Sequence, residues 1–317
     1  MFTNSYIHHK TKTMQEEQEE GPPHEEYQYL QLIKKIIQHG THEEGRNGWT
    51  KSIFGHMMRF SLQDGTIPFM TTKKLAWKAC FYELMFFIRG ETCNDKLNEK
   101  GVRIWDANSS REYLDSIGLQ HYPRNELGPI YGYQWRHWNK PYRAEADSGG
   151  GGGGGDGFDQ LNSIIRDLKD PEKRTSRRLI LTAWNPEQLH QMVLPPCHIF
   201  AQFHVRQGKY LSCSMYQRSA DVGLGVPFNI ASYSFLTHIL AKHCGLIADE
   251  FVHFIGNAHI YEQHIDALKE QIDRVPFPFP KIEITHIHEN IDDYTLEDIF
   301  FREPYIHDSP IVMNMVA

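Results

Sequence analysis

The stretch PPCHIFAQFHVRQGKYLSCSMYQRSADVGLGVPFNIASY, Pro195 to Tyr233, is the most informative part of this 317-residue chain. From His198 to Val205 the side chains alternate, with Ile199, Ala201, Phe203 and Val205 on one face and His198, Gln202 and His204 on the other. Arg206-Gln207-Gly208-Lys209 reads as a turn, and Leu211, Cys213 and Met215 resume a period of two. Two alternating runs joined by a short Gly-containing turn predict a β-hairpin. Folding the hairpin returns Arg218 to the side of Cys197. A guanidinium beside a thiol favours the thiolate, the reactive form of cysteine, and Pro195-Pro196 restricts the backbone just before it. On the hairpin alone, a small buried apolar cysteine remains the competing reading.

Outward from the hairpin, Tyr27, Leu30, Ile33 and Ile37 predict an amphipathic helix that stops at Gly40. Further helices are expected over about 75–88, just after Phe158 through Leu168, and from about Asn229 to His243, where Asn229 also fits a helix N-cap. Residues 1–25 are polar and acidic and are expected to form a disordered tail. Residues 26–317 then make one domain, with a glycine-rich insertion at about 144–157 whose Gly149–Gly155 run costs too much chain entropy to order readily. No Lys-Ser/Thr follows that run, so it is not a phosphate loop; Gly223-Leu224-Gly225 likewise lacks the third glycine of a dinucleotide site.

A 40% hydrophobic, 23% charged chain of this length supports one large core. It has no apolar run of membrane-spanning length and no apolar leader after Met1, so no membrane partner is expected. Five scattered cysteines fit a reducing compartment, with the cytoplasm expected and the nucleus as the alternative. A formal net charge of −7 excludes global attraction to nucleic acid. His286 and His288 alternate without a third ligand, so no metal is expected.

Other motifs recur in order: SIFGHMMRF (Ser52–Phe60), TTKK (Thr71–Lys74), IWDAN (Ile104–Asn108), LGPIYGYQWRH (Leu127–His137), SRRLILTAWNP (Ser176–Pro186) and NAHIYEQHI (Asn257–Ile265). With the Pro195–Tyr233 stretch they make residues 25–317 closely resemble thymidylate synthase. The resemblance implies an α/β fold, with a large mixed sheet, helices packed on one side, and the other sheet face forming a two-fold dimer interface. It implies methylation of dUMP to dTMP, with 5,10-methylenetetrahydrofolate giving both carbon and hydride and leaving as dihydrofolate. No reductase segment is evident in these residues, so recycling of dihydrofolate is expected from a separate protein.

The same resemblance assigns residues. Cys197 is the nucleophile that adds to C6 of uracil. Arg46, Arg218 and Ser219 hold phosphate with Arg177 and Arg178 lent by the partner subunit; guanidinium forks suit such an anion. Asn229 reads the uracil edge, because one amide offers both a donor and an acceptor. His259 and Tyr261 bind the ribose hydroxyl. Glu83 and Tyr131 move protons, Glu83 standing inside an apolar helical run where a carboxylate needs a reason. Folate is expected on Ile104, Trp105, Asn108, Leu224, Gly225, Phe228 and the terminal Ala317, with Asp221 contacting both nucleotide and pterin sides.

The chain departs from the family pattern at several points. The Arg46 loop is one residue short, Phe86 replaces a tryptophan, and Asn257 replaces an aspartate. The terminal Met313–Ala317 lacks the usual acidic residue. Two other readings compete: a pyrimidine hydroxymethylase, in which water meets the exocyclic methylene, and a non-catalytic nucleotide-binding paralogue.

Overall fold

The computed structural model describes residues 23–45, 47–144 and 157–316. Most of the predicted tail, Arg46, most of the glycine-rich insertion and Ala317 lie outside the described residues. His24 already packs on Phe279, and the Glu25 carboxylate accepts the Ser61 N–H at 2.8 Å.

Eight strands are present among the described residues: β1 Thr41–Gly45, β2 Gly48–Ser61, β3 Ile180–Thr182, β4 His198–Arg206, β5 Tyr210–Asp221, β6 Ile247–Tyr261, β7 Lys281–Ile284 and β8 Ile299–Glu303. The first six form one sheet in the order β1-β2-β6-β5-β4-β3. Only the central β5–β6 pair is parallel, so the sheet is mixed, as expected. The predicted hairpin is β4–β5. Gln207 and Gly208 both have positive φ, the conformation of a tight turn that follows the strand twist.

The helices are α1 Tyr27–His39, α2 Trp77–Ile88, α3 Asp95–Asn98, α4 Arg111–Ser116, α5 Tyr131–Arg136, α6 Gln160–Lys169, α7 Gly225–His243 and α8 Ile265–Ile272. Helix α6 starts where Asp159 accepts the Asn162 N–H at 2.8 Å, a side-chain cap. Helix α7 is buried along nearly its whole length among β5, β6 and α2, which explains its apolar composition on all sides.

One sheet face carries Met58 and Phe60, Leu211, Cys213 and Met215, and Phe251 and Ile255, all fully or almost fully buried. On the other face Met57, Phe254, Tyr216 and Phe200 line up across β2, β6, β5 and β4. The first three remain substantially exposed there, and Phe54 nearby is 85% exposed.

Two local expectations are corrected. A register shift between His198 and Phe200 turns His198 inward, so the alternation predicted for β4 fails at its first residues. Helix α7 begins at Gly225, four residues before Asn229, which therefore does not cap it. Pro227 is tolerated because the first helical turn needs no intrahelical N–H. Downstream of Arg178 the chain forms the three-residue edge strand β3.

Candidate active site

A cleft of about 610 Å³ opens at the C-terminal ends of β5 and β6, bounded by the β1–β2 turn and the chain terminus. Of the residues singled out in the sequence, its described lining includes Cys197, Arg218, Ser219, Asp221, Asn108, His259 and Tyr261. Glu83, Tyr131, Asn229, Ile104, Trp105, Leu224, Gly225 and Phe228 stand behind or beside this lining rather than in it.

The hairpin brings Arg218 to Cys197 directly: the Arg218 N–H donates to the Cys197 carbonyl at 2.9 Å. The guanidinium then turns back on the proline pair. Its Nε donates to the Pro196 carbonyl at 2.8 Å and its Nη2 to the Pro195 carbonyl at 2.9 Å. The Trp184 ring lies 5.4 Å beneath it. Pro195 and Pro196 thus restrain the thiol-bearing loop and anchor the cation as well. Nη1 has no acceptor among the described residues and is available to an anionic ligand.

Tyr131 opens α5. That helix touches α2 at Gly132, where a Cβ would lie 2.4 Å from the Phe87 carbonyl oxygen, so only glycine fits the crossing. This contact sets the Tyr131 hydroxyl against the Cys197 loop, where it accepts the Cys197 N–H at 2.8 Å. Burial, with Cys197 next, pushes the Tyr131 pKa well up, so the phenol stays protonated and keeps its own proton to donate. Glu83, on α2, is buried and accepts the Trp105 indole N–H at 2.8 Å. Burial raises its pKa to about 7, against the lowering effect of that hydrogen bond. A carboxyl poised there suits proton transfer near neutrality. The Trp105 ring stands edge-on to Tyr131, 6.3 Å away, so Trp105 links the two proton-bearing groups.

His198 does not share that role. Its ring stacks on Tyr131 at 4.1 Å, its Nδ1 is 2.9 Å from the Tyr233 hydroxyl, and burial lowers its pKa to about 3. It is a neutral packing partner of Tyr131.

Asp221 ends β5, and its Oδ1 accepts the N–H groups of Gly223 at 2.9 Å and Leu224 at 3.3 Å. This carboxylate orders the turn into α7 and stands at the cleft edge. His259 and Tyr261 lie on one face of β6 with ring centroids 5.3 Å apart. Asn257 Oδ1 lies 3.0 Å from His259 Nδ1, so the amide replacing the family's aspartate still orients the imidazole. With Nδ1 donating, Nε2 is the acceptor side. Burial lowers the His259 pKa, Asp221 opposing, which keeps that acceptor available at neutral pH.

The chain terminus folds over the site. His264 Nε2 meets the Asn314 carbonyl at 2.8 Å, the Asp308 N–H donates to the Thr71 carbonyl at 2.8 Å, and Val316 reaches the cleft lining. The altered terminus is therefore docked. The Arg46 and Ala317 assignments lie outside the described residues. Arg177 and Arg178 are exposed at the β3 edge and do not line the cleft.

Sequence reading missed Gln217, His253 and Lys73 as parts of the site. Gln217 is 2% exposed, and its Nε2 donates to Asn229 Oδ1 at 2.9 Å. His253 Nε2 lies 2.9 Å from Gln217 Oε1. The signal was present: Gln217 continues the inward phase of Leu211, Cys213 and Met215, and a polar residue in an apolar phase must have partners. Buried Lys73 donates to the Gly223 carbonyl, and burial lowers its pKa to about 8, with Asp221 and Glu26 opposing. It ties the TTKK motif beneath the Asp221 turn.

Among the described residues no group of three or more His, Cys, Asp or Glu side chains is placed to hold a metal ion. No helix among them is long and apolar enough to cross a membrane.

Comparison with known proteins places the whole fold in one family. The thymidylate synthase family profile matches residues 27–317. A thymidylate synthase from Ascaris suum is 48% identical over 295 residues, covering 92% of this chain and 97% of that protein. Bifunctional dihydrofolate reductase-thymidylate synthases are similarly related. The Plasmodium berghei protein is 50% identical over 296 residues, 93% of this chain and 49% of that protein. The Paramecium tetraurelia protein is 49% identical over 314 residues, 98% of this chain and 66% of that protein. The chain thus spans about half to two thirds of these bifunctional relatives. A family match over residues 27–317, together with a relative 48% identical of which 97% is covered, means that the chain belongs to the thymidylate synthase family.

Proposed function

We propose that this protein catalyses reductive methylation of dUMP to dTMP, with 5,10-methylenetetrahydrofolate as co-substrate and dihydrofolate as second product. The observation that carries the reading is the cleft in which Cys197 and Arg218 meet, with the Asn229 amide held behind them by Gln217. The Cys197 thiolate adds to C6 of the uracil ring and makes C5 nucleophilic. Arg218 and Ser219 take the phosphate, His259 and Tyr261 the ribose hydroxyl, and Asn229 the N3–O4 edge. Tyr131 and Glu83 serve the proton transfers at C5 and O4. Folate supplies a one-carbon unit and a hydride. Asn108, Ile104, Trp105, Leu224, Gly225 and Phe228, with Asp221, are the proposed folate contacts, closed by the terminus that ends in Ala317.

The described cleft lining has three carboxylates, Glu43, Glu44 and Asp221, and one guanidinium, Arg218. A dianionic phosphate needs more positive charge than that. Arg46 adjoins the lining in sequence. Arg177 and Arg178, exposed and remote from their own cleft, are proposed to serve the site of a two-fold partner. The exposed stripe of Met57, Phe254 and Tyr216 is the proposed homodimer face, since contiguous apolar surface of this kind marks association. Residues 26–317 are proposed as one domain with an inserted loop, in a protein of the cytoplasm that needs no nucleic acid.

The deciding assay incubates the protein with dUMP or dCMP and methylenetetrahydrofolate, following dihydrofolate optically and product by mass. Expected is dTMP with stoichiometric dihydrofolate from dUMP alone. A hydroxymethyl product, or nucleotide binding without turnover, would select one of the two competing readings.

Shared sites have a quantitative consequence. Cys197→Ala and Arg177→Ala homodimers are both expected to be nearly inactive. In a mixed dimer one site carries both defects and the other neither. Random co-assembly makes half the dimers mixed, so roughly a quarter of wild-type activity returns. Mixed dimers, verified by two affinity tags, that stay as inactive as their parents would rule out donation of Arg177 across the interface.

A further inference from the structure

A run of three polar side chains leads from the core to the base-reading position. His253 is fully buried on the core-facing side of β6, between Phe251 and Ile255 in phase. Its Nε2 meets Gln217 Oε1 at 2.9 Å. Gln217 Nε2 meets both the Ser219 carbonyl, at 3.1 Å, and Asn229 Oδ1, at 2.9 Å. The polarity of this run follows from one fixed group. A backbone carbonyl only accepts. The Gln217 atom that faces Ser219 is therefore the amide nitrogen, and the atom that faces His253 is the oxygen. His253 must then carry its proton on Nε2. Its Nδ1 has no hydrogen-bond partner among the described residues, which is consistent with that tautomer. The Asn229 atom that faces the Gln217 nitrogen must in turn be oxygen.

This matters because an asparagine amide has two orientations. Uracil offers a donor at N3 and an acceptor at O4. Cytosine offers an acceptor at N3 and a donor at N4. One orientation of the amide complements the first base, and the flipped orientation complements the second. We infer that His253 is a positioning residue for base choice: its Nε2–H, acting through Gln217, holds the Asn229 amide in the orientation that complements uracil. The inference rests on the dUMP reading proposed above and extends it to a residue that lies outside the cleft lining. Removing the His253 donor leaves Gln217 Oε1 buried without a partner. That loosens the hold of Gln217 on Asn229 and lets the amide turn.

The test compares the dissociation constants of dUMP and dCMP for wild type, His253→Phe and His253→Gln, with melting temperatures for each. Phenylalanine keeps the ring volume and removes the donor; glutamine returns an N–H near the Nε2 position. His253→Phe is expected to lower the preference for dUMP by about tenfold or more, the order expected for orphaning one buried acceptor. His253→Gln is expected to restore most of it. A folded His253→Phe protein that prefers dUMP as strongly as wild type would overturn the inference. The wild-type tautomer is a second measurement, independent of how any variant folds. Imidazole ¹⁵N shifts should show His253 neutral with its proton on Nε2, and a proton on Nδ1 overturns the inference. A wild-type protein indifferent to dUMP and dCMP would count against the proposed function instead, and the tautomer would still test the polarity of the run.

Discussion

Cys197→Ser is expected to reduce dTMP formation by at least about 10⁴-fold, the scale on which removing a covalent nucleophile is felt. An alcohol is far less ionised than a thiol at neutral pH, so the C6 adduct does not form. Nucleotide binding should survive within a few fold, because Arg218, Asn229 and His259 are held by bonds that do not involve the sulfur. The wild type treated with 5-fluoro-dUMP and methylenetetrahydrofolate should accumulate a stable covalent complex, since fluorine at C5 blocks the proton loss that resolves the adduct. The label should map to Cys197 alone. Burial pushes the Cys213 and Cys244 thiols up to about 12 and the half-buried Cys93 to about 11, and it holds the buried Cys80 thiol well above the usual thiol range. Peptide mass mapping that finds the adduct on any of these four would remove Cys197 from the mechanism.

Glu83→Gln should lower kcat by 10²- to 10⁴-fold, roughly the contribution of one general acid or base, and at the same time stabilise the protein at alkaline pH. The folded-state pKa of Glu83 is raised by burial from 4.5 to about 7. Its neutral form is therefore at no disadvantage below the unfolded value. As pH rises from 4.5 through about 7 the folded state becomes progressively less stable, because the unfolded chain ionises more readily. The full cost is about 3 kcal/mol above pH 8. Glutamine keeps an oxygen for the Trp105 indole N–H and carries no charge. Denaturant melts at pH 5 and pH 8.5 should show the variant gaining stability over wild type mainly at the higher pH. An equal difference at both pH values would mean that Glu83 titrates as an ordinary carboxylate. Unchanged kcat would reduce it to a packing residue.

Much of this molecule was legible in its sequence. The period of two in β4 and β5, the Gly208 turn and the return of Arg218 to Cys197 depend on neighbours within about twenty residues, and the structure reproduces them. The apolar runs of α2 and α7 and the amphipathic run of α6 likewise state their own burial. The long ordered motifs carried the family.

What the tertiary structure alone decided depends on atoms remote in the chain. The inward turn of His198 comes from a register shift, which a strict alternation cannot encode. The packing beneath the start of α7 is one such feature: Lys73, some 150 residues earlier, donates to the Gly223 carbonyl. The raised pKa of Glu83 needs desolvation by the packed core around α2, and the protonated Tyr131 needs α5 to cross α2 at Gly132. The direction in which the Asn229 amide points is set by Ser219, Gln217 and His253, on two strands that meet only in the parallel pair at the centre of the sheet. Side-chain period tells a residue which face it occupies; which atom meets it there, and how dry the meeting place is, are properties of the packed whole.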